Sequence, residues 1–143
     1  MALSQTHINQ IRNFNRFYTS IIGLLDKHIY QSPYSLSEAR ILFEINKLGN
    51  CTARQIKETI KMDEGYLSRI VEKFGSAGII MKSQSEQDAR VYNLSLTNKG
   101  RKIFKKLNDA SDHEVAKLVS EVDTKDIDIL VKHMEAIVTI VSK

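Results

Sequence analysis

The chain has 143 residues, 42% apolar and 27% charged, with a net charge of +4, one proline, six glycines and one cysteine. That length suits one domain with a buried core, and so little proline and glycine argues for long helices and against an all-β fold. Lone Cys51 excludes an internal disulfide and CxxC zinc or redox patterns; no stretch reaches the roughly 18 consecutive apolar residues of a membrane span; and polar residues 1–10 lack the apolar core of a secretion signal, so the expected location is the cytoplasm.

From about Ser4 to Tyr30, apolar residues recur every three or four positions at Ile8, Ile11, Phe14, Tyr18, Ile21, Ile22, Leu25 and Ile29. This spacing predicts a long helix. Pro33 ends the segment, because the residue before a proline avoids the α region. Ser35 and Glu38 have the spacing of a capping box and open a second helix over about 36–48, closed by Gly49 and Asn50. Thr52 and Gln55 form another such box, with Cys51 and Ile56 at hydrophobic-staple positions, and open a short helix over about 53–60. Asp63 caps a fourth helix, with Met62 and Leu67 as staple and Leu67, Ile70, Val71 and Phe74 as its apolar stripe. Ala77 and Gly78 end it. A strand over 79–82, a polar run over 83–90 and an alternating strand over 91–96 predict a β-hairpin with a long polar tip. Thr97 caps a fifth helix, and Asp123 with Thr124 starts a sixth whose stripe is Ile127, Leu130, Val131, Met134, Ile137, Val138 and Val141. The sequence shows no internal repeat and no low-complexity tract.

The fold class expected is mostly α with a small β-hairpin. Short helices followed by a hairpin are the element order of a winged helix-turn-helix, in which one helix presents its N-terminal side chains to a DNA major groove. Here the presented set is Gly65, Tyr66, Ser68, Arg69 and Lys73. Gly65 permits close backbone approach. Tyr66 and Ser68 can hydrogen-bond phosphate or a base edge, and the planar fork of Arg69 suits guanine or phosphate. An ordinary amphipathic helix with a mixed polar face would look similar. Charge distribution alone leaves both readings open, since a solvated surface can also be basic. Residues 51–105 carry eleven Lys/Arg against six Asp/Glu, residues 1–50 five against three, and residues 106–143 five against eight. A basic middle suits a polyanionic partner.

Residues 63–100 resemble the signature of the MarR family. The resemblance is carried by Ser68-Arg69 in the fourth helix, Gly78 after it, Asp88-x-Arg90 at the hairpin tip and Leu96-Thr97-x-x-Gly100 opening the fifth helix. It implies one MarR-type domain over 1–143, with a DNA-binding lobe at 33–100 and dimerisation helices at 1–32 and 101–143. The first and last helices also carry more apolar residues than a monomeric winged helix needs. The resemblance further implies a homodimeric repressor of transcription on a pseudo-palindromic operator in double-stranded DNA. Arg90 would enter the minor groove, whose narrowness concentrates negative potential, and Asp88 would orient it. Lys82 stands where the family often has an arginine, keeping the charge for phosphate without the bidentate fork. The wing tip carries few cations and contains Glu86. A small-molecule effector is compatible with the resemblance; Tyr18, His28, Tyr30 and Tyr34 would line its pocket. The DEGYLSRI stretch over 63–70 is similar to the version found fused to acetyltransferases, a domain for which 143 residues leave no room.

No catalytic, metal or cofactor site is expected. None of His7, His28, His113 and His133 is followed at i+3 or i+4 by a second metal ligand, and no phosphate- or dinucleotide-binding glycine pattern occurs. Cys51 reads as a small buried hydrophobe. Residues 1–30 contain no cysteine that could serve as an oxidant sensor. The competing functional class is a protein-interaction module that keeps the winged helix without binding DNA. Arg69, Lys73, Lys82 and Arg90 weigh against it.

Overall fold

The computed structural model describes residues 3–29 and 31–143, and of residues 24–29 the backbone only. In chain order the elements are α1 (Gln5–Ile29), α2 (Leu36–Leu48), β1 (Cys51–Thr52), α3 (Ala53–Ile60), α4 (Glu64–Ser76), β2 (Ile80–Gln84), β3 (Tyr92–Leu96), α5 (Asn98–Leu118) and α6 (Thr124–Val141). The fold is mostly helical with a small antiparallel sheet.

Local chemistry sets the helix boundaries. At α2 the Glu38 N–H donates to Ser35 Oγ at 3.2 Å, and the Ser35 N–H donates to Glu38 Oε2 at 2.9 Å. At α3 the Gln55 N–H donates to Thr52 Oγ1 at 3.2 Å, and the Thr52 N–H donates to Gln55 Oε1 at 2.9 Å. Both are reciprocal capping boxes, each cap being worth about 1 kcal/mol. Gly49 closes α2 at φ +77°, a conformation that L side chains rarely adopt. Lys61 takes the left-handed conformation after α3, which lets three residues turn the chain into α4.

The sheet has the order β1-β3-β2. β2 and β3 pair from Ile80↔Leu96 to Gln84↔Tyr92, the expected hairpin. Two details differ from the sequence reading. β2 runs two residues further into the polar run, because backbone pairing with β3 sustains it although Met81 to Gln84 are all exposed. A third strand, β1, pairs Cys51 with Leu94 and Thr52 with Asn93. Two residues carry no periodic signal, so β1 was invisible before its partner was placed.

Two compact units are present, residues 1–111 and 112–143. The core of the first is built from Ile41, Leu42, Ile45, Cys51, Ile56, Leu67, Ile70, Val71, Phe74, Ile79, Ile80, Leu94 and Leu96. Full burial of such a side chain contributes roughly 1.5–3 kcal/mol of transfer free energy. Both staple pairs feed this cluster, with Met62 packed at its margin. Cys51 is fully buried; burial, then the nearby Glu44 carboxylate, push its thiol above the ordinary value. Ile103, Phe104 and Leu107 of α5 pack on the same cluster. In the second unit, α6 buries none of its residues, and eight of its large apolar side chains are exposed. Among the described residues no helix is long and apolar enough to cross a membrane.

Candidate nucleic-acid interface

The polar face of α4 is displayed by the burial of the opposite one. Leu67, Ile70, Val71 and Phe74 are buried, which turns Gly65, Tyr66, Ser68, Arg69 and Lys73 outward. The first turn is fixed by Asp63, whose carboxylate accepts from the Tyr66 N–H at 2.9 Å. A Cβ on Gly65 would stand 3.3 Å from Asp63 Oδ2, so the glycine leaves room for the cap. The Arg69 guanidinium lies over the Tyr66 ring, 5.8 Å from its centroid. This cation–π contact limits the freedom of the arginine before any partner arrives. Lys73 is differently placed: its ammonium donates to Glu38 Oε1 at 2.5 Å. That hydrogen bond is the main cause of its raised pKa.

The wing joins α4 through a short, tightly bonded connection. Thr97 Oγ1 accepts from the Gly100 N–H at 3.0 Å and donates to the Gly78 carbonyl at 2.6 Å. The Thr97 N–H donates to the Ile79 carbonyl at 3.0 Å. The Leu96-Thr97-x-x-Gly100 motif therefore fastens the end of the hairpin to the end of α4. At the tip, Asp88 Oδ1 accepts from both the Arg90 N–H (3.0 Å) and Arg90 Nε (3.2 Å), and Asp88 Oδ2 accepts from Arg90 Nη2 (3.3 Å). The side-chain bond, then the backbone bond, hold the Asp88 carboxyl below its ordinary 3.8. The pair therefore persists through neutral and weakly acidic pH and is lost only as pH falls through the lowered value. The Gln84 side chain donates to the Ala89 carbonyl at 2.7 Å, and the Ser85 N–H to the Val91 carbonyl at 2.8 Å. A polar run with few cations thus becomes an ordered loop that projects one arginine.

Between α3, α4 and the sheet runs a groove of about 700 Å³, whose walls include Arg54, Lys57, Gly65, Ser68, Lys82 and Tyr92. It brings Lys82 together with Gly65 and Ser68 of the polar face of α4. Arg54, Lys57 and Tyr92 were missed in the sequence, where the only signal was exposed cations on α3, a common feature of any solvated helix. Lys57 Nζ bonds Glu64 Oε2 at 2.7 Å, tying α3 to the first turn of α4. That bond lowers the Glu64 pKa.

The four residues suggested for an effector pocket are placed unevenly. Tyr18 stacks on Phe14 at 5.7 Å on α1. Tyr34 sits at the margin of the core, edge-on to Phe74 at 6.2 Å. Tyr30 and the His28 side chain lie outside the described residues. Among the described residues no group of three or more His, Cys, Asp or Glu side chains could hold a metal ion.

Comparison with known proteins places this arrangement. Residues 34–92, the lobe from Tyr34 to β3, match the profile of the MarR family. The HTH-type transcriptional regulator BilQ of Clostridium symbiosum (strain WAL-14163) is 31% identical over 126 residues, covering 82% of this chain and 88% of BilQ. The fold is similar to a MarR family protein from Bacillus stearothermophilus, with a TM-score of 0.84 at 12% identity over 99% of this chain and 100% of that one. It is also similar to Streptococcus pneumoniae FabT in a complex with DNA, with a TM-score of 0.79 at 22% identity over 92% of this chain and 97% of FabT.

Proposed function

Because this chain belongs to the MarR family of DNA-binding transcription regulators, we propose that it is a sequence-specific repressor. It acts in the cytoplasm as a homodimer on a pseudo-palindromic operator and works by binding, without catalysis. The N-terminal half of α4 enters the major groove, where Gly65, Tyr66, Ser68 and Arg69 meet base edges and phosphates. A well-placed bidentate arginine contributes about 1–3 kcal/mol of discrimination between bases. Arg90 enters the adjacent minor groove. The intervening phosphate strand passes the groove between α4 and the wing, within reach of Lys82 and Lys57.

The observation that carries this reading is the wing tip. The Asp88 carboxylate grips Arg90 through both side chain and backbone, while Arg90 itself is almost wholly exposed, at 91%. An exposed ion pair contributes little to stability. A carboxylate spent on aiming an outward-facing arginine makes sense if the arginine has a target. The homodimer is supported by the apolar side chains of α6, from Leu130 at 39% exposed to Val141 at 76%. Phe14, Phe17 and Tyr18 of α1 are exposed as well, and large exposed apolar side chains gathered on a helix mark an interaction surface. A small-molecule effector lined by Tyr18, His28, Tyr30 and Tyr34 would act on α4 through the Tyr34–Phe74 contact.

The test is selection of duplexes from a randomised pool by the full chain, followed by footprinting. An inverted repeat with half-sites about one helical turn apart is expected. Failure to enrich any sequence, or enrichment of a lone half-site, would contradict the proposal.

A further inference from the structure

We infer that Glu38 and Lys73 are positioning residues for the reading surface. The Glu38 carboxylate ties α4 to the first turn of α2, and Lys73 is held there instead of being offered to phosphate. The inference rests on the DNA-binding reading above and assigns Lys73 a role different from the one its place on the polar face of α4 suggested.

Glu38 is an unusual carboxylate. It is only 8% exposed, one of two acidic residues buried among the described ones. Its two oxygens are divided between two elements: Oε2 accepts from the Ser35 N–H at 2.9 Å, closing the cap of α2, and Oε1 accepts from Lys73 Nζ at 2.5 Å, in the last turn of α4. A buried carboxylate needs both partners, since leaving one side unpaired would cost more than the pair returns. One turn away, Tyr34 packs edge-on against Phe74, the residue next to Lys73. The first turn of α2 and the Tyr34 just before it are thus pinned to α4 at two adjacent points, one polar and one aromatic. Tyr66 and Arg69 lie two turns and one turn before Lys73 on α4, so the pin sets the tilt of the helix that carries them. In the unbound protein Lys73 is engaged by a buried carboxylate on another element.

Glu38→Gln and Lys73→Met separate the two roles, with Lys73→Arg as the conservative variant. The probes are a duplex selected by the wild-type chain and its scrambled version, titrated at several salt concentrations. If the pair positions α4, both variants lose about ten-fold on the selected duplex. Binding to the scrambled duplex and the salt slope stay unchanged, the double variant is no worse than either single one, and Lys73→Arg restores affinity because a guanidinium can also hold Glu38. If Lys73 is instead a phosphate contact shaded by Glu38, the signs reverse. Glu38→Gln then frees one lysine in each protomer and tightens binding to both duplexes with a slope steeper by about 1.8, and Lys73→Met flattens it by the same amount. That result overturns the inference. A wild-type chain that does not distinguish the two duplexes refutes the DNA-binding reading itself. Amide exchange in the free protein then decides the inference: faster exchange in the first turn of α2 and along α4 in both variants, with Lys73→Arg protected, supports the pin, and unchanged exchange overturns it.

Discussion

Replacing Gly100 by alanine should destabilise the protein, while the same change at Gly75 should stabilise it. Both glycines lie in helices, α5 and α4, so each replacement gains roughly 0.8–1 kcal/mol of helix propensity. Their surroundings decide the sign. A Cβ on Gly75 meets nothing within 4 Å. A Cβ on Gly100 would stand on the carbonyl oxygen of Ile79, with the carbonyl carbon at 3.1 Å and Ile79 Cγ2 at 3.4 Å. That carbonyl is backbone and cannot swing aside; it already accepts from the Thr97 N–H at 3.0 Å and from Thr97 Oγ1 at 3.1 Å. Overpacking costs about 1–3 kcal/mol, and each disturbed hydrogen bond about 1 kcal/mol more. The net expectation is a loss of about 2–4 kcal/mol for Gly100→Ala and a gain of about 0.5–1 kcal/mol for Gly75→Ala. Urea unfolding followed by circular dichroism measures both. Equal effects, or a neutral Gly100→Ala, would refute the claim that the start of the hairpin and α5 meet backbone to backbone at this point.

Asp63→Ala removes the cap of α4 and should cost about 1 kcal/mol; faster amide exchange at Tyr66 than elsewhere in the helix would locate the loss. Cys51, buried and with its thiol pushed up in pKa, should resist an aromatic disulfide reagent at neutral pH until denaturant is added, whereas rapid labelling of the native protein would contradict its place in the core. Sedimentation at micromolar concentration should give twice the 16.3 kDa of one chain, and truncation after Asp123 should cause aggregation or unfolding. A folded, soluble monomer from that truncation would remove the dimer proposal.

How far the sequence could be read depended on how local the signal was. Caps are local. Ser35 with Glu38, Thr52 with Gln55, and Asp63 each mark a helix start within three residues, and each makes the hydrogen bond its spacing implies. The Asp88–Arg90 pair is equally local, two residues apart, and the two side chains are hydrogen-bonded. The stripe of α4 was legible because its period is regular, and all four of its residues are buried. Long-range features were not legible. β1 exists only because Leu94 and Asn93 lie beside Cys51 and Thr52. Lys73 looked like one more cation on a polar face, and its partner Glu38 stands 35 residues away. Glu38 itself was read only as a capping residue, since nothing in a sequence tells which of two carboxylate oxygens has a second partner. Arg54, Lys57 and Tyr92 become neighbours of Ser68 only when α3, α4 and the sheet enclose the same groove.

The measurement that tests the account most directly is the salt dependence of duplex binding for wild type, Arg90→Ala and Asp88→Ala. Wild type should prefer the selected duplex and lose affinity steeply with salt, with a log–log slope of roughly −5 to −9 if the dimer makes several phosphate contacts per lobe. Arg90→Ala removes one cation from each of the two wings of the dimer and should weaken binding to every sequence, flattening the slope by about two units. Asp88→Ala leaves that cation in place but unaimed, so affinity should fall with the slope nearly unchanged. Circular dichroism should show both variants folded, because neither side chain belongs to the core cluster. An Arg90→Ala protein that binds the selected duplex as tightly as wild type, with the same slope, would mean that the wing does not touch DNA, and would contradict the account at its center.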